Sequence, residues 1–190
     1  MRPRGRKSAN AAQGGVVWLT GLPGAGKTTI ARRLAGLLRE RSLPVEILDG
    51  DDIRKLFPAT GFAKADRDAH VRRVGYVASL LERHGVFVLA ALVSPYRGSR
   101  DAARGLCRRF VEVHVSTPTD VCEKRDPKGH YALARAGLLK NFTGVSDPYE
   151  APRKPELSID TSRIAALRAA KMILDFIADS WAGVDEGKPS

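Results

Sequence analysis

An apolar run at 16–20 leads directly into Gly21, Leu22, Pro23, Gly24, Ala25, Gly26, Lys27 and Thr28, the spacing G-x-x-x-x-G-K-[ST]. Few short patterns restrict a fold as strongly. The glycines let backbone N–H groups converge on phosphate oxygens, a lysine at this position reaches β- and γ-phosphates, and the Thr28 hydroxyl can ligate Mg²⁺. The pattern requires a strand before it and a helix after it, and both are present. Beyond Thr29, the residues Ile30, Leu34, Leu37 and Leu38 share one helical face while Arg32, Arg33, Arg39 and Arg41 lie elsewhere, so the loop opens a helix whose N-terminal dipole favours anions. A turn that merely joined strand to helix would need neither Lys27 nor Thr28 after its last glycine.

Further strand-like runs fall at 45–48, 86–93, 111–115 and 157–159, with helical patterns between most of them. One helix is expected over 66–84, with Asp66 as N-cap, a stripe of Val71, Val74, Ala78 and Leu81, and Gly85 as its stop. Another begins after Ser162 and carries Ile164, Leu167, Leu174 and Ile177. Alternation of this kind predicts an α/β fold of the phosphate-loop type, an open and mainly parallel sheet flanked by helices, with ligands at the carboxyl ends of the strands. From about 124 to 155 glycines, prolines and the cations Arg125, Lys128, Arg135 and Lys140 replace the regular pattern, which reads as a lid over phosphates.

With 190 residues, one domain over 15–181 is expected, with flexible ends at 1–14 and 182–190. The formal charge is +11, of which Arg2, Arg4, Arg6 and Lys7 supply four. The remaining excess suits an anionic ligand without naming it. The pI near 10.1 also keeps a nucleic-acid-binding reading in view, against which stand a 6% aromatic content and no recognisable binding module. The apolar run behind the basic start is too short for an export signal, and no run approaches the ~20 residues that span a bilayer. Cys107 and Cys122 are too few for a disulfide framework, and His70, His84, His114 and His130 lack metal-ligand spacing. These features fit a reducing, cytoplasmic location.

The second strand-like run exits into Asp49, Gly50, Asp51, Asp52, Ile53 and Arg54. Carboxylates at a strand end beside a phosphate loop can hold Mg²⁺ or its waters and accept a proton from an attacking hydroxyl.

With these motifs in place the chain resembles the adenylylsulfate kinase family. The shared pattern comprises the loop 21–28, Leu48 to Asp51 with Ile53 and Arg54, Gly61-Phe62, Asp66-Arg67, Val93-Ser-Pro-Tyr-Arg97, Arg125-Asp-Pro-Lys-Gly129, Lys140-Asn-Phe-Thr-Gly144 and Pro148-Tyr-Glu-Ala-Pro152. The resemblance implies transfer of the γ-phosphate of ATP to the 3′-hydroxyl of adenosine 5′-phosphosulfate (APS), with Mg²⁺, in a cytoplasmic homodimer that serves sulfate activation alongside a sulfate adenylyltransferase. It implies no nucleic-acid or membrane partner. By the same resemblance Lys27, Asp49 and Asp51 are catalytic, with Thr28 and Asp49 toward the metal. ATP falls to residues 21–29 with Arg125 and Lys128. The acceptor falls to Asp51, Arg54, Phe62, Arg67, His70, Val93, Ser94, Lys140 and Phe142, with Phe62 and Phe142 enclosing its adenine, an arrangement in which stacking contributes about 1–3 kcal/mol per base. Ser94 is read as pocket-forming; phosphorylation there is an option the resemblance leaves open, since a serine before proline at a strand end is also an ordinary turn starter.

The chain departs from the family pattern at four places. His70 and Asp52 stand where asparagines are usual, Ala132-Leu133 where two lysines are common, and the segment between Arg54 and Gly61 is about one residue short. An imidazole offers a different donor and acceptor set from an amide. A related kinase acting on another nucleotide or nucleotide-linked acceptor therefore stands as the second reading.

Overall fold

A computed structural model of the chain describes residues 14–57 and 61–181. The expected flexible ends at 1–14 and 182–190 lie outside the described residues except for Gly14, which is buried, and so does part of the shortened segment after Arg54. Five strands, β1 (Gly15–Thr20), β2 (Val45–Asp49), β3 (Phe87–Ala91), β4 (Phe110–Val115) and β5 (Leu157–Ile159), form one sheet in the order β2-β3-β1-β4-β5. Every pairing is parallel. The long helices α1 (Lys27–Glu40), α3 (Lys64–Arg83), α4 (Arg97–Leu106) and α7 (Ala166–Ser180) supply the flanking layers, and α2 (Gly50–Leu56), α5 (Thr119–Arg125) and α6 (His130–Arg135) are short.

The two-residue period of each strand divides the core. Val17 and Leu19 of β1 join Ile30, Leu34 and Leu38 of α1 and Ile173 and Ile177 of α7. Val16 and Trp18 join Val71, Val74 and Ala78 of α3 and Ala103 of α4. Both faces are covered, as a parallel sheet demands. Because all strands run the same way, Thr20, Asp49, Leu92, Ser116 and Asp160 follow or end their strands on one edge of the sheet, where a ligand site is expected.

The structure corrects several expectations. Asp66 is not the N-cap of α3: the helix starts at Lys64 with Ala63 before it, and Asp66 lies in the first turn, where a carboxylate still complements the dipole. Its C-terminus follows expectation. Gly85 has φ 81°, its N–H donates to Glu82 O and that of Val86 to Leu81 O, the paired bonds that close a helix through a left-handed glycine. The run 86–93 yields a strand only to Ala91, since Leu92 and Val93 turn into the site. Helix α7 begins at Ala166, leaving Ile164 in the turn before it, and Leu167 is 47% exposed while Ala169 and Ala170 take the buried positions. The segment 124–155 is not irregular throughout, because it contains the end of α5 and all of α6.

Helix α4 goes unmarked in sequence reading, because its buried side carries no large apolar residue. It packs instead through Ser99, Arg100 and Ala103. A β-carbon on Gly75 of α3 would lie 2.8 Å from the Cβ of Ala103, so the two helices approach at a distance that only glycine allows. Gly75→Val is expected to destabilise the fold by about 1–3 kcal/mol through overpacking; an unchanged denaturation midpoint would show that α3 and α4 are not held this closely.

Candidate active site

The strand ends frame a cleft of about 790 Å³. Of the residues singled out from sequence, Pro23, Gly24, Gly26, Lys27, Thr28, Thr29, Asp49, Asp51, Arg54, Phe62, Arg67, His70, Val93, Ser94, Arg125, Lys128, Lys140 and Phe142 all line it. Gly21, Leu22 and Ala25 belong to the same loop but not to the cleft wall. Arg135 is turned elsewhere, in a two-pronged pair with Glu123 at 2.9 and 3.0 Å.

The loop between β1 and α1 is held from behind. Thr117 and Thr161 both donate to Ala25 O, at 3.1 and 2.9 Å, and Gly24 and Gly26 adopt φ 77° and 98°, conformations that favour glycine. Gly24 also sits where a Cβ would come within 2.8 Å of Cys122 O. The Lys27 ammonium, 8% exposed, donates to Gly21 O at 2.9 Å and Leu22 O at 2.8 Å. Burial lowers its pKa to about 8, against the opposing charges of Cys122, Asp51 and Asp49. A cation held so far below its ordinary value gains most from an incoming anion.

Asp49, the last residue of β2, serves two neighbours. One oxygen accepts from the Thr28 hydroxyl at 2.7 Å and the other caps α2 by accepting from Asp51 N–H at 3.0 Å. Asp51, on the first turn of α2, forms an ion pair with Lys128 from the segment between α5 and α6. Burial pushes the Asp51 carboxyl up, but the Lys128 hydrogen bond and charge, with Lys27 and Arg54, hold it below the usual carboxylate range. Arg125 donates to Thr161 Oγ1 at 2.7 Å and Thr161 O at 2.9 Å, so it spans from α5 to the end of β5 beside the loop.

Also on the cleft wall, Arg54 donates to Gly61 O at 2.6 Å, and Arg67 donates to Phe62 O at 2.9 Å and Asn141 O at 2.5 Å. Their guanidinium centres lie 4.6 and 5.4 Å from the centroid of Phe62, which is 47% exposed. Burial lowers both arginine pKa values, and for Arg54 the charge of Arg67 lowers it further. Phe142 differs from Phe62. It is a core residue as well as a wall residue, edge-on to Tyr131 at 4.9 Å. Lys140 is exposed at the rim.

Ser94 is 3% exposed with φ 38°. Its hydroxyl accepts from Trp18 Nε1 at 3.1 Å and donates to Thr20 Oγ1 at 2.9 Å. A phosphoryl group there would require this buried chain to open. The unusual residues also separate: Ala132 and Leu133 lie off the cleft wall, whereas His70 lies on it, 3% exposed.

Among the described residues four buried side-chain polar atoms have no hydrogen-bond partner, and three of them, both His70 ring nitrogens and Thr143 Oγ1, belong to residues of this wall. Buried polar atoms are normally satisfied, so such a concentration marks a surface that meets a ligand. Gly50 backbone approaches His70, but outside the geometry of a hydrogen bond. Sequence reading missed Thr143, together with His130, Tyr131, Thr161 and the turn 164–166, all on the wall. Thr161 lies two residues beyond β5, so the strand-end rule could have located it; Thr143 stands inside the Lys140 to Gly144 motif but was given no role, and the others carry no motif.

A family model for adenylylsulphate kinase matches residues 13–160. The chain belongs to the adenylylsulfate kinase family. It is 54% identical over 150 residues to the adenylyl-sulfate kinase of Gloeothece citriformis, covering 78% of this chain and 85% of the relative. It is 46% identical over 169 residues to a probable adenylyl-sulfate kinase of Pseudomonas aeruginosa, covering 88% and 79%. Among solved structures, it superposes on the Mycobacterium tuberculosis APS kinase in complex with AMPPNP and APS with a TM-score of 0.84 at 38% identity, covering 87% of this chain and 98% of that one. The chain is accordingly a kinase that transfers phosphate from ATP to a hydroxyl acceptor, on a parallel five-stranded α/β fold.

Burial, with the charge of Arg54 adding to it, lowers the His70 pKa to about 4. Between about pH 6.5 and 4 the unfolded chain then binds the proton that the folded chain refuses, so stability falls as pH falls through that window. His70→Asn is expected to flatten this loss in denaturant titrations at pH 4.5 and 7; equal losses in both proteins would place the imidazole in a less desolvated setting.

Proposed function

We propose that the cleft phosphorylates the 3′-hydroxyl of adenosine 5′-phosphosulfate with ATP, giving 3′-phosphoadenosine 5′-phosphosulfate, with the two nucleotides on opposite sides of Asp51. The observation that carries this division is the placement of two separate cationic groups around one carboxylate. Lys27 belongs to the loop, whereas Arg54 and Arg67 gather around Phe62, and the charges of both Lys27 and Arg54 act on Asp51.

On the donor side, loop N–H groups and the N-terminus of α1 receive the phosphates, and Lys27 exchanges two carbonyls for β- and γ-phosphate oxygens. Thr28 and Asp49 would hold Mg²⁺. The Thr28 hydroxyl lies 2.7 Å from Asp49, so both can offer an oxygen to one ion, and Mg²⁺ takes one or two protein oxygens and completes its shell with phosphates and water. When bound, the ion would supply charge neutralisation on the phosphates. Arg125 and Lys128 cover the donor from the segment about 124–155, which acts as a lid within one kinase domain over 15–181.

On the acceptor side, Arg54 and Arg67 take the phosphosulfate, Phe62 and Phe142 face the adenine, and Val93, Ser94, Lys140 and His70 complete the pocket. Asp51 accepts the hydrogen bond of the attacking hydroxyl. Its depressed pKa makes it a weak base, so it orients the hydroxyl and receives the proton late, as a loose phosphoryl transition state permits. Lys128 must release Asp51 for this and is then free to meet the triphosphate. Ser94 serves as pocket backbone, not as a phosphate carrier.

The working form proposed here, from the family resemblance, is a cytoplasmic homodimer; its two cysteines are free, and among the described residues no helix is long and apolar enough to cross a membrane. A sulfate adenylyltransferase supplies its acceptor; a Sorangium cellulosum relative, 51% identical over 151 residues, is named as a probable bifunctional SAT/APS kinase.

Purified protein with ATP is expected to turn over APS at micromolar concentration and to leave cytidine and uridine nucleotides unphosphorylated. Turnover of one of those nucleotides with none of APS would instead support the second reading, to which His70 points. Asp51→Asn should lower kcat by about 10²–10⁴-fold, the usual worth of a positioned proton acceptor, with a smaller effect on KM. An unchanged kcat would remove Asp51 from the reaction.

A further inference from the structure

The loop 93–95 forms the acceptor wall but makes its hydrogen bonds backwards, into the protein. Behind it lies a buried guanidinium. Arg100 of α4 is 2% exposed, and each of its three nitrogens donates to a different segment: Nε to Glu112 Oε1 of β4 at 2.6 Å, one terminal nitrogen to Ser94 O at 2.6 Å, and the other to Glu150 O at 2.7 Å. Glu112 is in turn enclosed, its N–H donating to Glu156 at 2.6 Å while Arg104 grips Glu156 at 2.7 and 2.8 Å.

Ser94 sits at φ 38°, a backbone conformation that persists in a non-glycine residue only when its surroundings over-determine it. Three bonds do so: Arg100 on its carbonyl, Trp18 on its hydroxyl, and its own donation to Thr20. The adjacent Pro95 O accepts from Glu150 N–H at 2.8 Å, so the strap at 149–151 is tied to the acceptor loop and to the same guanidinium. Tyr149 continues the connection, its hydroxyl 3.1 Å from Thr20 Oγ1.

We propose that Arg100 is a positioning residue for the acceptor nucleotide, which it sets through the Ser94 carbonyl and the strap at Glu150 without touching either substrate. The proposal rests on the acceptor-side reading of residues 93–95 given above. A planar fork is required, because three partners in three directions cannot be met by the compact ammonium of a lysine. Glu112 would still have a counter-charge in Arg100→Lys, so stability is largely retained while the geometry is lost.

Initial rates of full-length wild type and R100K, with each substrate varied against saturating concentrations of the other, separate positioning from stability. The acceptor KM should rise about tenfold, the worth of one charge-assisted hydrogen bond, with the ATP KM and kcat changing less than about threefold. Unchanged KM values in folded R100K, or parallel changes in both, would overturn the proposal. Should R100K not fold, Glu112→Gln takes its place, since it frees the guanidinium from its counter-ion and predicts the same selective rise. Loss of the folded state in both, read by circular dichroism and gel filtration, would assign the cluster to stability alone and likewise overturn it. Wild-type turnover of APS is the control: its absence counts against the functional reading, and the comparison then runs with whichever nucleotide the wild type phosphorylates.

Discussion

Burial of the Lys27 ammonium is the constraint around which this cleft is built. Removing a cation from water is costly unless its donors are met, and here two loop carbonyls meet them only in part, leaving the pKa near 8. The loop cannot relax to do better. Thr117 and Thr161 fix Ala25 from the ends of β4 and β5, and Cys122 leaves no room for a side chain at Gly24. A rigid loop with an under-solvated cation is prepared for a phosphate before one arrives. That is the electrostatic preorganisation on which phosphoryl transfer depends.

The parallel sheet then decides what else can reach the site. With all five strands ending on one edge, the segments that follow four of them line the wall, Pro23, Gly24 and Gly26 to Thr29 after β1, Gly50 and Asp51 after β2, Leu92 to Pro95 after β3 and Thr161 after β5, while Thr117 after β4 fixes the loop from behind. Asp49 links the two best-placed ends, since one carboxylate both holds Thr28 and starts α2. The start of α2 in turn brings Asp51 to the cleft wall, paired with Lys128 and within the field of Lys27 and Arg54. The departures from the family pattern are unequal for the same reason. Ala132 and Leu133 sit on α6 away from the wall, whereas His70 on α3 faces it with both nitrogens unpartnered. Any difference in acceptor recognition therefore concentrates on one imidazole.

The sequence carried most of this architecture where hydrophobic period and turn chemistry agreed. The apolar runs lie within or over the observed strands, and Gly85 ends α3 by the paired bonds that its left-handed φ permits. Legibility failed where packing relies on small or charged residues. Helix α4 buries Ser99, Arg100 and Ala103 against Gly75 and Glu112, small and charged residues where a core-facing helix usually shows large apolar ones. Glycines and prolines hid α5 and α6, both under two turns. In the site, residues attached to a motif or a strand end were visible, from Lys27 to Arg67. Tyr131 and the turn 164–166 were not, because only the folded path of the chain brings them to the wall; Thr143 stood inside a motif, but nothing in the sequence marked its hydroxyl as buried without a partner. Phe142 shows why aromatics are ambiguous in sequence: it belongs to the core and to the cleft at once.

The central claim is that one cleft holds two nucleotides on either side of Asp51. A crystal structure with a non-hydrolysable ATP analogue and APS bound together tests it most directly. The account predicts the triphosphate in the loop against Lys27, the acceptor adenine between Phe62 and Phe142, and the 3′-hydroxyl within hydrogen-bonding reach of Asp51. An acceptor bound with its phosphosulfate away from Arg54 and Arg67, or its hydroxyl remote from Asp51, would contradict it.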